Sequence, residues 1–235
     1  MTKNFTIKIY KSFDDYLKQD WIEFEAKSEN YCFQNFSWLK QWYELYKIDR
    51  QINACIMVVY SEKKIISILP FMVEKIRKIS FLRWMGDEQA DYMCGLFEKD
   101  FYLEKVEFVK LWKLIKKELP HFDIIHFYKQ PEYIGKITNP FIVNLRTVKN
   151  GYASGIDLKN NFEEYIKNNL KKKFFNDTRR SLNQLNARGN LEFKIYDEID
   201  DTDKIAFIKN VLEQKILRLK QLKLKNNFNE NIKKF

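Results

Sequence analysis

Glycine and proline are scarce, with 6 and 4 in 235 residues, which excludes a collagen-like or linker-rich chain. Cysteine is scarce too. Cys32, Cys55 and Cys94 are an odd number, widely spaced, with no C-x-x-C pair. No disulfide framework follows from them, and they fit a reducing cytoplasm. The only histidines, His121 and His126, are five positions apart at a strand start, so they point to opposite faces and do not share a metal ion. No G-x-G-x-x-G, G-x-x-x-x-G-K-[ST] or G-x-S-x-G occurs, which removes the nucleotide-loop and nucleophile-elbow signatures. No apolar run approaches the ~20 residues of a membrane helix. The start, MTKNFTIKIYKSFDDY, has no apolar stretch of signal-peptide length. The expectation is a cytoplasmic protein with no transmembrane segment and no metal.

What the chain does have is apolar and aromatic side chains, 45% and 16% of residues, enough to build a core. Its net charge of +10 is uneven. Residues 162–188 carry seven Lys/Arg against three acids, and residues 204–235 carry nine against two. Between them, residues 189–203 carry one Lys against six acids. A positive last third suits phosphate-bearing partners: a CoA-like molecule, a nucleotide-linked sugar, RNA or an anionic membrane surface. It equally suits a solvated face that keeps the chain soluble.

Periodicity orders the elements. Residues 5–10 alternate as a strand, and residues 13–27 and 36–46 read as amphipathic helices, the second capped by Asn35 or Ser37. Residues 51–60 and 65–73 form an antiparallel hairpin around the turn 61–64, with Pro70 marking an edge, a bulge or a splay. A strand over 79–85, a helix over 103–119 stopped by Pro120, and a buried strand over 122–128 follow. Residues 141–148 and 152–158 read as short strands. A basic helix spans 162–188, a half-buried strand 191–196 follows Gly189, and a last helix runs from about 203 to 224. The fold class is mixed α/β: a mixed sheet with flanking helices.

Two groups of residues could carry chemistry. Asp87, Glu88 and Asp91 cluster at a strand-to-loop boundary, where a carboxylate can act as general base; Tyr92 beside Asp91 can orient a substrate or donate a proton. On the basic helix, Lys172 aligns with Arg179 and Lys173 with Arg180, seven positions apart. Their ammonium and guanidinium groups suit phosphate oxygens. Lys215 and Arg218 are further cations on the last helix.

Several segments, in order, resemble the FemAB/CelD-type acyltransferases of the GNAT superfamily. FSWLKQWYELY resembles their early helix, IISILPFMVEK their strand with an internal proline, and GDEQADYMCGLF the segment after the next strand. LKKKFFNDTRRSLNQLNARGNLEF and VLEQKILRLK resemble the opening of their second half. The resemblance implies a GNAT-like domain over 1–154 and the beginning of a second over 155–235. It implies transfer of an acyl group, acetyl in the first instance, from acyl-CoA to an amine or hydroxyl of a sugar or cell-envelope precursor. The residues themselves nominate Asp91 and Tyr92 for catalysis, and Lys172, Lys173, Arg179 and Arg180 for substrate phosphate. The related FemAB branch uses aminoacyl-tRNA as donor. The GNAT pyrophosphate loop [QR]-x-x-G-x-[GA] is absent, so the second domain reads as incomplete. The alternatives are a non-catalytic fragment or interaction domain, and a basic tRNA- or nucleic-acid-binding module. Oligomeric state is not legible.

Overall fold

The computed structural model describes residues 3–155, 161–196 and 200–224. It is mixed α/β, in two compact units: the first runs to Asn150 and the second starts at Gly151.

In the first unit β1 (Phe5–Tyr10) leads into α1 (Asp15–Glu25), the two-residue β2 (Ser28–Glu29) and α2 (Phe36–Tyr46). A meander follows: β3 (Ile52–Ser61), β4 (Lys64–Ile76) and β5 (Ile79–Trp84), then β6 (Leu96–Glu98). After α3 (Lys105–Glu118) the chain enters β7 (Ile124–Ile125). The hairpin β8 (Tyr133–Ile134) and β9 (Ile137–Thr138), and α4 (Pro140–Asn144), complete the unit. The main sheet runs β1-β3-β4-β5-β7. All its pairs are antiparallel except β5 with β7.

The apolar run in β3 explains the layering. Cys55, Met57 and Val59 pack into one core with α3 residues Phe108, Leu111 and Trp112. Ala54, Ile56 and Val58 pack into the other with Leu17, Trp21, Leu39 and Trp42 of α1 and α2. A strand covered on both faces needs no polar alternation, and this one has little. Asp14 caps α1 and Asn35 caps α2, each side chain accepting backbone N–H bonds.

Pro70 marks a splay. The far side of β4 pairs with β6 at Ser67 and Ile68, then with β5 from Phe71 onward. A residue's N–H and C=O point to the same side of an antiparallel strand. The Pro70 carbonyl accepts from Met85 N at 2.9 Å, so its missing N–H also faces the gap between β5 and β6. The ladder to β3 is therefore unharmed.

Two expectations in this unit are corrected. Residues 141–144 of the expected strand 141–148 are helical instead, because Asn139 accepts from Phe141 N at 3.0 Å and Pro140 occupies the first helical turn. The expected buried strand 122–128 keeps only Ile124–Ile125 in the ladder, 43% and 39% exposed, because β7 lies at the sheet edge.

The second unit contains α5 (Phe162–Asn169), α6 (Lys172–Asn186) and α7 (Asp201–Gln221). The expected single helix 162–188 is interrupted at Leu170 and Lys171, both extended. Residues 191–196 form no ladder, and Phe193 is 89% exposed. Alternation makes a strand only where a sheet offers a partner; among the described residues this unit has no strand. Residues 152–155 are not a strand either, and 156–158 lie outside the described residues. None of the unit's described side chains is buried.

Candidate functional site

The loop between β5 and β6 carries the expected acids, and the structure separates them. Gly86 turns the chain with φ +111°, and a 3-10 turn follows at Asp87–Gln89. Asp87 points inward and pairs with the Arg50 guanidinium. Arg50 Nε also reaches Glu74 at 2.6 Å, and Arg83 Nη1 reaches the other Glu74 oxygen at 2.9 Å. Glu74 is 4% exposed, so two guanidinium groups neutralise a carboxylate that would not be tolerated alone. Burial opposes the Arg50 charge, but Glu74 and Asp87 outweigh it and hold its pKa above the ordinary arginine value. Arg50 also lies over the Trp42 ring at 5.6 Å, and Trp42 Nε1 donates to Gln89 at 3.0 Å. Asp87 is thus part of a structural ion network, while Glu88 and Asp91 face solvent.

Lys129 fastens the loop from outside. Its ammonium donates to the Asp87 carbonyl at 3.3 Å and the Ala90 carbonyl at 2.9 Å, and its own carbonyl accepts from Met93 N at 3.0 Å. Gln34 Nε2 holds the Tyr92 carbonyl at 2.9 Å. Between these anchors the Asp91 carboxylate makes no hydrogen bond or ion pair among the described residues. The Tyr92 ring stacks on Tyr31 at 4.6 Å, with Phe33 beside it at 6.4 Å and Trp38 edge-on to Phe33 at 5.7 Å. Tyr31 donates to the Tyr133 carbonyl at 2.8 Å. Burial, then Cys94 and Tyr92, push its hydroxyl pKa up. Asp91 and Tyr92 are therefore held together on a rigid aromatic shelf, with an uncommitted carboxylate at its rim.

Sequence reasoning missed Arg50, Glu74, Arg83, Tyr31 and Gln34. The signal for Glu74 was present: it interrupts KIISILPFMVEKI at a position that shares its face with Met72.

The parallel pair ends at Leu82. His126 N donates to the Leu82 carbonyl at 2.9 Å, the last bond of the parallel ladder. Phe127 stacks on Phe71 at 5.3 Å and meets Trp84 at 4.9 Å; Phe141 packs edge-on against Trp84 at 5.1 Å. Trp84 Nε1 donates to Gln130 at 3.2 Å. Aromatic rings thus pack against one another where the β5–β7 ladder ends.

In the second unit Lys172, Lys173, Arg179 and Arg180 all lie on α6, exposed, with no hydrogen bond or ion pair among the described residues. Asn176, Arg179, Arg180, Asn183, Gln184 and Ala187 line a shallow, open depression along this one helix. Donors on a convex helix spread rather than converge, so the face suits an extended array of phosphates better than one small anion. No group of His, Cys, Asp and Glu among the described residues is arranged to hold a metal ion, and no helix there is long and apolar enough to cross a membrane. Comparison of the chain with protein-family models, curated proteins and solved structures finds no match.

Proposed function

We propose that the chain is of the acyltransferase type its segments resemble, moving an acyl group from acyl-CoA to an amine or hydroxyl of a sugar or envelope precursor. The observation that carries this reading is the path of the first unit: a strand, two helices, an antiparallel meander, a helix, and a strand parallel to the meander's end. This order of elements supports the reading because it agrees with the order that the resemblance to GNAT-type acyltransferases implies. Asp91 and Tyr92 support an acceptor role, since the carboxylate is free and the ring shelf offers apolar faces to a sugar. In the reaction the acceptor amine attacks the thioester carbonyl carbon, a C–N bond forms and the C–S bond breaks. Asp91 takes the proton the amine loses, and the departing thiolate of CoA is protonated by solvent. The exposed cations of α6 are a separate phosphate-binding candidate within the second unit.

The test is calorimetric titration of the whole chain with acetyl-CoA. Binding at micromolar to millimolar ligand that weakens in Arg179→Gln/Arg180→Gln supports the reading. Absence of heat at millimolar acetyl-CoA, together with no acetyl transfer to amino sugars, overturns it.

One observation favours a second reading, a non-catalytic interaction domain of the same fold. The aromatic block of Phe71, Trp84, Phe127 and Phe141 packs where the β5–β7 ladder ends, and that densely packed edge favours a structural over a ligand-binding role for this end of the sheet. Trp84→Ala would loosen that packing; donor binding gained by this variant and absent from the parent protein would identify the block as the reason.

A further inference from the structure

We infer that α6 is an in-plane membrane helix that docks the protein on an anionic lipid bilayer, a role beyond the proposed transfer reaction that draws on the same exposed cations. Successive residues of a helix are rotated by about 100°. On that wheel Phe174, Phe175, Thr178, Leu182 and Leu185 fall in one sector about 100° wide. Lys172, Lys173, Asn176, Arg179, Arg180 and Asn183 fall in another. The apolar sector is not spent on a core: Phe174 is 58% exposed, Phe175 45%, Leu182 46% and Leu185 49%.

Three features identify the occupant as an anionic bilayer. First, segment 170–188 carries six Lys/Arg against one acid, Asp177. Arg179 sits one turn from both Phe175 and Leu182, so a cation borders the apolar sector where lipid phosphates lie above acyl chains. Second, Thr178, the one hydroxyl inside the apolar sector, gives its proton to the Phe174 carbonyl at 2.9 Å, and neighbouring Ser181 bonds the Asp177 carbonyl at 3.0 Å. The sector therefore presents methyl, methylene and ring surface, with its polar atoms satisfied inside the helix, as a hydrocarbon environment requires. Third, the first turn is loaded with the wrong charge for a free helix. Lys171 is the N-cap and makes no side-chain cap bond; Lys172 and Lys173 follow. Cations there oppose the macrodipole and leave the first N–H groups facing outward. Phosphate oxygens at a bilayer surface relieve both. RNA could satisfy the cations, but it gives no use to the Phe and Leu sector.

The experiment is flotation of the full chain with vesicles of phosphatidylcholine alone and of equimolar phosphatidylcholine and phosphatidylglycerol, without acyl-CoA. The expected result is binding to the anionic vesicles only, reduced by added salt. Arg179→Gln/Arg180→Gln should weaken it about thirtyfold, and Phe174→Ser/Phe175→Ser should weaken it about tenfold or more. Both pairs are exposed, and a variant counts as folded when its helical circular dichroism matches the parent's, with parent-like tryptophan fluorescence for the first unit. No flotation with anionic vesicles overturns the inference. So does undiminished binding by the Phe variant, which would make the face a general polyanion contact that RNA serves equally. Acetyl-CoA titration of the Phe variant separates the two proposals, since a phosphate contact on α6 needs the cations and not the rings.

Discussion

Glu74 sits where two arginines meet, and removing it leaves both without their shared carboxylate. Its side chain is 6% exposed, and those of Arg50 and Arg83 are 23% and 14%. Glu74→Ala should cost about 3 to 5 kcal/mol, the range for breaking a buried ion pair from one side. Glu23→Ala, which removes the exposed Glu23–Lys27 pair, should leave the urea midpoint close to the parent's. Urea unfolding of the two variants measures the contrast, and equal midpoints would mean the network contributes nothing. The thiols give a second test at this scale. Cys32 is exposed while Cys55 and Cys94 are buried. One thiol should react with Ellman's reagent in the native protein and three after unfolding. Burial pushes the Cys55 thiol from 9.0 up to about 11, and pushes Cys94 up as well. The folded state thus keeps protons that the unfolded chain releases. The contribution is full below pH 9, falls through pH 9 to 11, and is gone above the folded value. For Cys55 it amounts to roughly 2 to 3 kcal/mol. Cys55→Ala should therefore lose less stability between pH 8.5 and 10.5 than the parent protein, and an identical loss would refute the burial argument.

At the level of elements, the β5–β6 loop shows how much one glycine holds. Gly86 has φ +111°, and a Cβ there would lie 2.9 Å from the Ala90 Cβ. Gly86→Ala combines backbone strain with a clash against the loop it begins, and should destabilise the first unit by roughly 2 to 4 kcal/mol. Because the turn positions Asp87, it should also release Arg50, read as loss of the Trp42–Arg50 contact in tryptophan fluorescence; a parent-like melt and spectrum would contradict this. The elements that sequence made legible are those whose signals are local. Asn35 before an aromatic helical stripe, the turn 61–64 between apolar runs, and Pro120 after α3 each decide an end by themselves. The strand expected over 191–196 was not decidable that way. Leu191, Phe193 and Ile195 alternate correctly, but pairing is a property of a second strand, which alternation does not supply. The site divides along the same line. Asp91 beside Tyr92 was visible as neighbours in sequence. Arg50, Glu74 and Asp87 meet across 24 and 37 positions, and only the register of β4 and the turn at Gly86 bring them together.

For the molecule as a whole, the division at Gly151 separates two kinds of stability. The first unit owns both cores and all five tryptophans, Trp21, Trp38, Trp42, Trp84 and Trp112. Among its described residues the second has three helices, the longest of 21 residues, and no buried side chain. Isolated helices of about 12 to 15 residues are marginal in water, because most helical stability comes from packing an apolar face. The length of α6 falls in that range and its face is open, so its amides should exchange at rates set by local opening rather than by global unfolding. Trypsin should then cut first in the second unit, where Lys167, Lys171, Lys172, Lys173, Arg179, Arg180 and Arg188 lie in exposed or frayed backbone. The resistant product should be a fragment close to residues 1–150 with parent-like tryptophan fluorescence and a parent-like melt. Anionic vesicles should protect the α6 sites and leave those in the first unit unchanged. Early cleavage inside the meander of β3 to β5, or loss of the fluorescence signature on trimming, would mean that the first unit does not hold its fold unaided.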